Sequence, residues 1–233
     1  MDAPDALSSA AAGMRLQADR LDVIAQNLAN ASTVGYRERS WSSVKFGERL
    51  ESEVTPQERQ GALRRTGVST DLALVGRGYF AVATTVGVRY TRDGRIGVGD
   101  DGGLVDARGN RLLGALGPVQ FPRGAHIEPD GRVVTDGRTV DRLRIVCFPG
   151  GVLAADGPYV YASAAAVPMR ASATVHAGYL EDSGVDPIAE MTSLVAAERA
   201  YEANQKAAQR ADETLKRAVT DVPAVRQLSL IHI

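Results

Sequence analysis

Two segments that repeat apolar residues at every seventh position lie at opposite ends of this 233-residue chain. Residues spaced by seven lie on one side of a helix, and a sustained repeat is typical of a coiled coil. The N-terminal segment predicts a helix over residues 5–30, ending at residues 30–35, where Asn, Ser, Thr and Gly favour turns. Its main row is Leu7, Met14, Leu21 and Leu28, with Ile24 beside it, and its companion row is Ala11, Ala18 and Ala25.

The C-terminal segment, residues 186–219, has the same pattern and contains no glycine. Asp186 at the N-cap, followed by Pro187 at the first helical position, is a typical helix start. Two matching segments predict that the terminal helices pair with each other along a seam. A polar Asn204 in the seam either fixes the register of the pair or lies in water, and both alternatives stay open. The rows are Leu194, Tyr201, Ala208 and Leu215, and Ala197, Asn204, Ala211 and Ala218.

The middle of the chain, residues 66–180, alternates short apolar runs with turn-forming pairs. Asp-Gly and Gly-Asn pairs tolerate the positive φ angles of tight β-turns, so this region is expected to be antiparallel β-structure. The turn pairs include Asp93-Gly94, Asp101-Gly102, Gly109-Asn110, Asp130-Gly131, Asp136-Gly137 and Asp156-Gly157.

The predicted fold class is therefore α+β, with N- and C-terminal helices paired as a coiled coil and a central antiparallel β-rich domain. The predicted divisions are residues 1–36 for the N-terminal helix, 37–65 for a mobile polar linker, 66–180 for the β-rich domain, 181–222 for the C-terminal helix and 223–233 for a tail. Residues 228–233, LSLIHI, continue neither seam. This hexapeptide matches one reading frame of a DNA-library adapter, so it is interpreted as an artefact and excluded from the fold.

Composition argues against several classes of function. Lys+Arg 27 against Asp+Glu 28 gives a net charge of −1, so no overall basic field would recruit nucleic acid. No stretch approaches the roughly 20 apolar residues of a membrane span, and no direct membrane insertion is expected. The N-terminus lacks the pattern of a cleaved signal peptide. The single cysteine, Cys147, excludes an intramolecular disulfide.

An enzymatic reading rests on a few reactive residues. Cys147 with His126 or His176 resembles a nucleophile and base, but Cys147 lies between apolar residues in a predicted strand. The Gly76-Arg77-Gly78 sequence precedes a strand, whereas a dinucleotide loop precedes a helix. The aspartates near residue 100 lack the spacing of a calcium loop and are interpreted as turn residues. We predict no catalytic, cofactor or metal site. The three aspartates are Asp100, Asp101 and Asp106.

Several motifs lie in a fixed order along most of the chain. The first, NLANASTVGYR at residues 27–37, resembles the signature shared by flagellar basal-body rod and hook proteins. Residues 71–80, 90–94, 103–105, 109–114 and 178–187 are similar to later family segments in the same order, and 199–204 lie inside the C-terminal helix. Gly35 would supply a left-handed turn. The motif residues are Asn27, Leu28, Ala29, Asn30, Thr33, Gly35 and Tyr36.

The resemblance implies a structural subunit of the flagellar basal-body rod that assembles through its terminal helices into a helical tube and transmits torque from motor to hook. It implies copies of itself, other rod and hook subunits and the flagellar export apparatus as partners. It also implies a place in the periplasmic rod, reached without a cleaved signal peptide. The distal-rod and hook members of the family carry longer insertions between the first helix and the β-domain. Here only residues 37–70 fill that gap, so the resemblance favours the proximal-rod member, although residues 199–204 are more similar to the distal-rod member. The alternatives are a hook-type axial protein and a non-flagellar coiled-coil adaptor with a β-head. The predicted assembly interface is Leu7, Met14, Leu21, Ile24, Leu28, Leu194, Tyr201, Asn204 and Leu215.

Overall fold

The computed structural model describes residues 3–46, 49–57, 59–148, 153–156, 159–162 and 167–220. Within these residues two long helices flank a series of short strands, which confirms the predicted α+β class. The hexapeptide at 228–233 lies outside the described residues. The elements are α1 (Ala3–Ala29), β1 (Arg39–Phe46), β2 (Arg49–Pro56), β3 (Leu63–Arg65), β4 (Leu72–Val75), β5 (Tyr79–Thr84), β6 (Gly87–Thr91), β7 (Ile96–Val98), β8 (Leu104–Asp106), β9 (Arg111–Leu112), β10 (His126–Ile127), β11 (Arg132–Thr135), β12 (Arg138–Arg142), β13 (Ile145–Cys147), β14 (Leu153–Asp156), β15 (Tyr159–Ala162), β16 (Met169–Arg170), β17 (Thr174–Ala177), β18 (Tyr179–Glu181) and α2 (Pro187–Thr220).

Polar side chains cap the start of α2 and the end of α1. The carboxylate of Asp186 accepts hydrogen bonds from the backbone N–H groups of Ile188 and Ala189, at 3.0 and 3.2 Å, so the predicted N-cap of α2 is confirmed. At the end of α1, Nδ2 of Asn30 donates to the carbonyl oxygen of Gln26 at 2.8 Å. The same carbonyl oxygen also accepts from the backbone N–H of Asn30 at 3.2 Å, so both donors of this residue close the last turn of α1. None of the described helices combines the length and apolar character that a membrane span requires.

The strands form antiparallel sheets. The largest has the order β14-β15-β6-β5-β9-β8-β7, with β13 also pairing with β5 and β16. Two smaller pairings, β3 with β18 and β4 with β17, join strands that are about 100 residues or more apart in sequence. These pairings place the chain that leads into α2 beside the chain that begins the β-rich region. At the hairpin between β11 and β12, Asp136 and Gly137 both have positive φ angles, 49° and 70°, which is why an Asp-Gly pair is suited to this turn.

The main hydrophobic core lies between these sheets and is formed by alternating strand residues. Leu72, Phe80, Leu104 and Val133 are at most 1% exposed. A smaller cluster packs Tyr90 against Phe148, whose rings meet edge to face with centroids 4.8 Å apart. Burial of aliphatic and aromatic side chains is the dominant stabilising term for such a core, and it needs no contribution from either terminal helix.

The described chain divides into two compact units. The first, the helical unit, contains α1 up to Ala25, residues from Trp41 to Glu53 and α2 from Met191. The second, the β-unit, contains the chain from Gln26 to Ser40 and from Val54 to Glu190. Residues 37–65, expected to be a polar linker, contain strands β1, β2 and β3. The predicted boundaries at residues 36, 65, 180 and 222 stay predictions.

Candidate functional site

The less exposed face of α1 contains most of the predicted main row. Met14, Leu21 and Leu28 are half-buried, whereas Leu7 is 36% exposed. Ile24 is 5% exposed, and Ala10, one position before the predicted companion row, is 7% exposed. The companion row of α1 therefore runs through residues 10, 17 and 24. The predicted companion residues Ala11, Ala18 and Ala25 are all exposed.

The corresponding face of α2 centres on Ala197, which is fully buried. Leu194, Asn204 and Leu215 of the predicted interface are half-buried, and Tyr201 is 36% exposed. A small residue at the most buried position allows a neighbouring helix to approach closely. This face, rather than the opposite one, is therefore the one suited to helix packing.

A glycine inside α1 contacts α2 directly. A Cβ atom placed on Gly13 would lie 2.9 Å from Nδ2 and 3.1 Å from Cγ of Asn204. Both residues belong to the helical unit, so this contact joins the two ends of the chain within it. Gly13 is not among the residues that the sequence pattern predicts at the seam. An internal helix glycine costs about 1 kcal/mol relative to Ala, and this cost is the signal that could have marked a close approach.

Among the described residues of the helical unit, two buried polar side-chain atoms have no hydrogen-bond partner. They are Oε1 of Gln17, on the companion row of α1, and Nε1 of Trp41, on β1. The ring of Trp41 lies under the guanidinium group of Arg20, with 5.8 Å between the guanidinium carbon and the ring centroid. An unpaired buried acceptor is unfavourable, so the seam is not optimised for the stability of the single chain.

Replacing Gln17 by Leu is expected to raise the free energy of unfolding of the helical unit by about 1 kcal/mol, because no hydrogen bond is lost and an unpaired acceptor is removed. Urea unfolding followed by far-ultraviolet circular dichroism of the helices measures the change. Gln205→Leu, at an exposed position of α2, is the control and should change stability by less than about 0.5 kcal/mol. A loss of stability in Gln17→Leu would contradict the burial of its side-chain oxygen.

Asn27 joins the end of α1 to the start of α2 within the β-unit. Its side chain is 1% exposed and uses its full hydrogen-bonding capacity. Nδ2 donates to the carbonyl oxygen of Arg39 at 2.9 Å and to Oε1 of Glu190 at 3.0 Å. Oδ1 accepts from the N–H of Arg39 at 2.9 Å and from the hydroxyl of Tyr36 at 3.2 Å. The side-chain amide of Asn27 thus pairs with the backbone of Arg39 as a neighbouring strand would, and its bond to Glu190 connects it to α2.

Burial, with a smaller contribution from nearby carboxylates, raises the pKa values of two neighbours of Asn27. Burial raises the pKa of the Tyr36 hydroxyl; Arg39 opposes the shift, and Glu190 and Glu38 add to it. The pKa of Glu38 is also raised, first by burial and then by the negative charge of Glu190, with Asp186 adding to the shift and Arg59 opposing it. Two of the carboxylates near Glu38, those of Asp186 and Glu190, belong to the start of α2.

The stability of this junction should depend on the protonation of Glu38. Because its folded-state pKa is raised, its favourable contribution is present at acid pH and is lost as pH rises through that pKa. At pH 7 we expect Glu38→Gln to be more stable than the parent by less than about 1 kcal/mol, since the group is partly solvated. The difference should vanish near pH 4. Unfolding free energies at pH 4 to 7 measure it, with exposed Glu202→Gln as the unchanged control. A difference that stays constant with pH would contradict the assignment.

The remaining motif residues shape the turn that follows α1. Leu28 is half-buried and Ala29 is exposed. The hydroxyl of Thr33 donates to Oδ1 of Asn30 at 3.1 Å. Gly35 has a φ of 67° and is buried. The motif therefore forms a hydrogen-bonded corner, and two of its partners, Arg39 and Glu190, were not predicted as site residues because they contact it only in the folded chain.

Three residues of the enzymatic and calcium alternatives, Asp101, Asp106 and Cys147, have structural partners. Asp101 pairs with Arg111, and Asp106 accepts hydrogen bonds from the N–H groups of Arg108 and Asn110, both at 2.9 Å. The thiol of Cys147 lies 3.8 Å from the carbonyl oxygen of Arg170, which it can donate to. Among the described residues, no three His, Cys, Asp or Glu side chains are grouped as a metal site needs.

Three family models match the chain in succession. The model described as flagella basal body rod protein matches residues 7–37. The model described as flagellar hook protein FlgE/F/G D1 domain matches residues 73–137. The model described as flagellar basal body rod FlgEFG protein C-terminal matches residues 176–221. The three matches include the two helices, the junction around Asn27 and much of the β-unit.

Individual relatives match over most of their length. Flagellar basal-body rod protein FlgF of Rhizobium meliloti (strain 1021) is 33% identical, over 78% of this chain and 83% of the relative. FlgF of Mesorhizobium japonicum is 31% identical, over 84% and 90% of the two chains. Flagellar basal-body rod protein FlgG of Bacillus subtilis (strain 168) is 29% identical, over 91% and 97%. These identities and the three ordered family matches confirm the resemblance to flagellar basal-body rod and hook proteins that the sequence motifs indicated. The chain therefore belongs to the flagellar basal-body rod protein family and is a structural subunit of the rod in the flagellar basal body.

Proposed function

We propose that this rod subunit assembles through its two terminal helices, which pair as a coiled coil and pack against copies of the chain and other rod and hook subunits. The observation that carries the proposal is the matched spacing of two contacts. Gly13 contacts Asn204, and Asn27 bonds Glu190, so the contacts are fourteen residues apart on each helix. Fourteen residues are two heptads, and a coiled coil repeats its seam every heptad, so both contacts fit one antiparallel seam.

The physical basis of assembly is burial of apolar surface along the helices. Each Leu or Met that a neighbouring subunit covers contributes about 1.5–3 kcal/mol. A contact between different surfaces of successive copies does not close on itself and therefore builds a helical tube. Such a tube, stiffened by many identical contacts, can transmit torque from motor to hook. The predicted interface residues of both helices carry this role in the proposal.

In this proposal, the localisation of the subunit and its export route follow from its membership of the family. The subunit lies in the periplasmic part of the rod, is exported by the flagellar export apparatus without a cleaved signal peptide, and has no catalytic activity. The matched family is one of structural rod and hook proteins, which supports the last statement.

We propose that the subtype is the one shared with the relatives named FlgF. Their identities, 33% and 31%, exceed the 29% of the relative named FlgG. The short segment at residues 37–70 predicts the proximal-rod member, and that assignment stays a prediction.

Purified hook–basal bodies test the proposal. In a strain that carries an epitope-tagged copy in place of its own gene, the chain should be found in isolated rods, and deletion of the gene should abolish motility. A coiled-coil adaptor with a β-head would instead form a discrete soluble oligomer, detected by sedimentation, and leave rods intact. Absence of the chain from rods of motile cells would contradict the proposal.

A further inference from the structure

A buried ion pair in the β-unit joins the turn after β6 to the end of β18. The side chains of Arg92 and Glu181 are each 1% exposed. Nε and Nη2 of Arg92 donate to Oε2 of Glu181 at 2.9 and 2.6 Å. The other three N–H groups donate to the carbonyl oxygens of Leu74, Gly76 and Gly78, at 2.7 to 2.9 Å. All five guanidinium donors are therefore used inside the protein.

The second carboxylate oxygen of Glu181 faces the chain that follows α1. Oε1 accepts a hydrogen bond from the N–H of Gly61 at 3.2 Å and lies 3.4 Å from Nη2 of Arg37. Burial lowers the pKa of Arg92, and the negative charge of Glu181 opposes that shift. The carboxylate thus lies between two guanidinium groups, one supplied by the strands and one by the segment after α1.

Gly35 docks on the backbone of the same two residues. Its N–H donates to the carbonyl oxygen of Glu181 at 2.7 Å. A Cβ atom on Gly35 would lie 2.4 Å from the carbonyl oxygen of Arg92, a distance that no side chain tolerates. Residues 35–37 therefore rest on a surface that Arg92 and Glu181 form together, and only a glycine fits at its closest point.

The three charged residues come from three separate parts of the chain. Arg37 lies in the first family match, Arg92 in the second and Glu181 in the third. Gly35 follows the end of α1 by a few residues, and Glu181 precedes the start of α2 by a similar number. The cluster consequently lies where both helices leave the β-unit.

We propose that the Arg92–Glu181 pair is a latch that makes docking of the segment after α1 conditional on a completed β-unit. A buried carboxylate without its arginine is strongly unfavourable, so Glu181 takes this position only after β3, β6 and β18 are in place. Only then do residues 35–37 have a docking surface, and only then do the ends of α1 and α2 come together at Asn27 and Glu190. The latch goes beyond the proposed function, because it acts in the single chain before assembly.

Hydrogen exchange of the full-length chain tests the latch. In Glu181→Gln, exchange over residues 31–40 should be at least about tenfold faster than in the control Leu104→Ala, which opens the fully buried core without touching the pair. Exchange over residues 96–106 should be no faster than in that control. Equal acceleration of both segments, or none over residues 31–40, would overturn the proposal.

A second variant keeps the test valid if Glu181→Gln does not fold. Arg37→Met leaves the Arg92–Glu181 pair intact and removes the guanidinium group through which residues 35–37 contact Glu181. Exchange over residues 31–40 should then be about threefold to tenfold faster, while exchange over residues 72–82 stays unchanged. Unchanged exchange over residues 31–40, or equal acceleration over residues 72–82, would overturn the latch.

Discussion

Cells that carry Leu194→Asp are expected to be non-motile, with rods that lack the chain, although the variant still has a folded β-unit. A carboxylate at this half-buried seam position must be desolvated when the helices pack, which costs several kcal/mol. Since each 1.4 kcal/mol is a factor of ten, incorporation should fall about a hundredfold or more. Immunoblots of isolated basal bodies measure incorporation, and hydrogen exchange over residues 72–106 of the purified variant reports the β-unit.

Leu21→Asp, on the corresponding face of α1, should have the same effect. Gln205→Asp is the matched control, because it adds the same charge at an exposed position of α2 and should be incorporated normally. Among the described residues, the hydrophobic core of the β-unit contains none from either helix, so its folding should be the same in all three variants. Normal motility of either Leu variant would contradict the proposal that these positions form the assembly interface.

Asn27→Leu is expected to lower the free energy of unfolding of the β-unit by about 2–4 kcal/mol. Leu has a similar size but leaves the N–H and C=O of Arg39 and the carboxylate of Glu190 without their bonds to Asn27. Equilibrium urea unfolding measures the loss. Asn30→Leu is the control: its amide makes a local bond to the carbonyl of Gln26, so it should lose less than about 1 kcal/mol. Equal losses in the two variants would contradict the bridging role of Asn27.

Local sequence patterns predicted the elements well. The seven-residue interval and the Asp186-Pro187 start predicted both helices, and the apolar runs at residues 72–75 and 79–83 correspond to β4 and β5. The interval did not determine which alanines of α1 lie inward, since Ala10 and Ala11 are equally apolar and adjacent. Strands β1 and β2 were missed because their polar residues lack a clear alternation of apolar and polar side chains.

Long-range partners could not be read from the sequence at all. Asn27 reads locally as a helix-end residue, but its bond to Glu190 spans 163 positions. Arg92 and Glu181 are 89 positions apart, and each alone resembles a surface charge. The pairing of such residues depends on sheet register, which the whole fold determines. The family resemblance indicated the right segments, whereas the reason for each motif residue emerged only from its contacts.

The most direct test of helix pairing in the rod is a disulfide between residues 13 and 204. In a Cys147→Ser background, Gly13→Cys with Asn204→Cys places two Cβ atoms within reach of a disulfide, judged from the close contact at this point. We predict that oxidation of isolated rods forms this bond within one chain, seen as a faster-migrating monomer, and that Ala12→Cys with Asn204→Cys forms little. No bond within the chain, or an equal yield from the control pair, would contradict assembly through paired terminal helices.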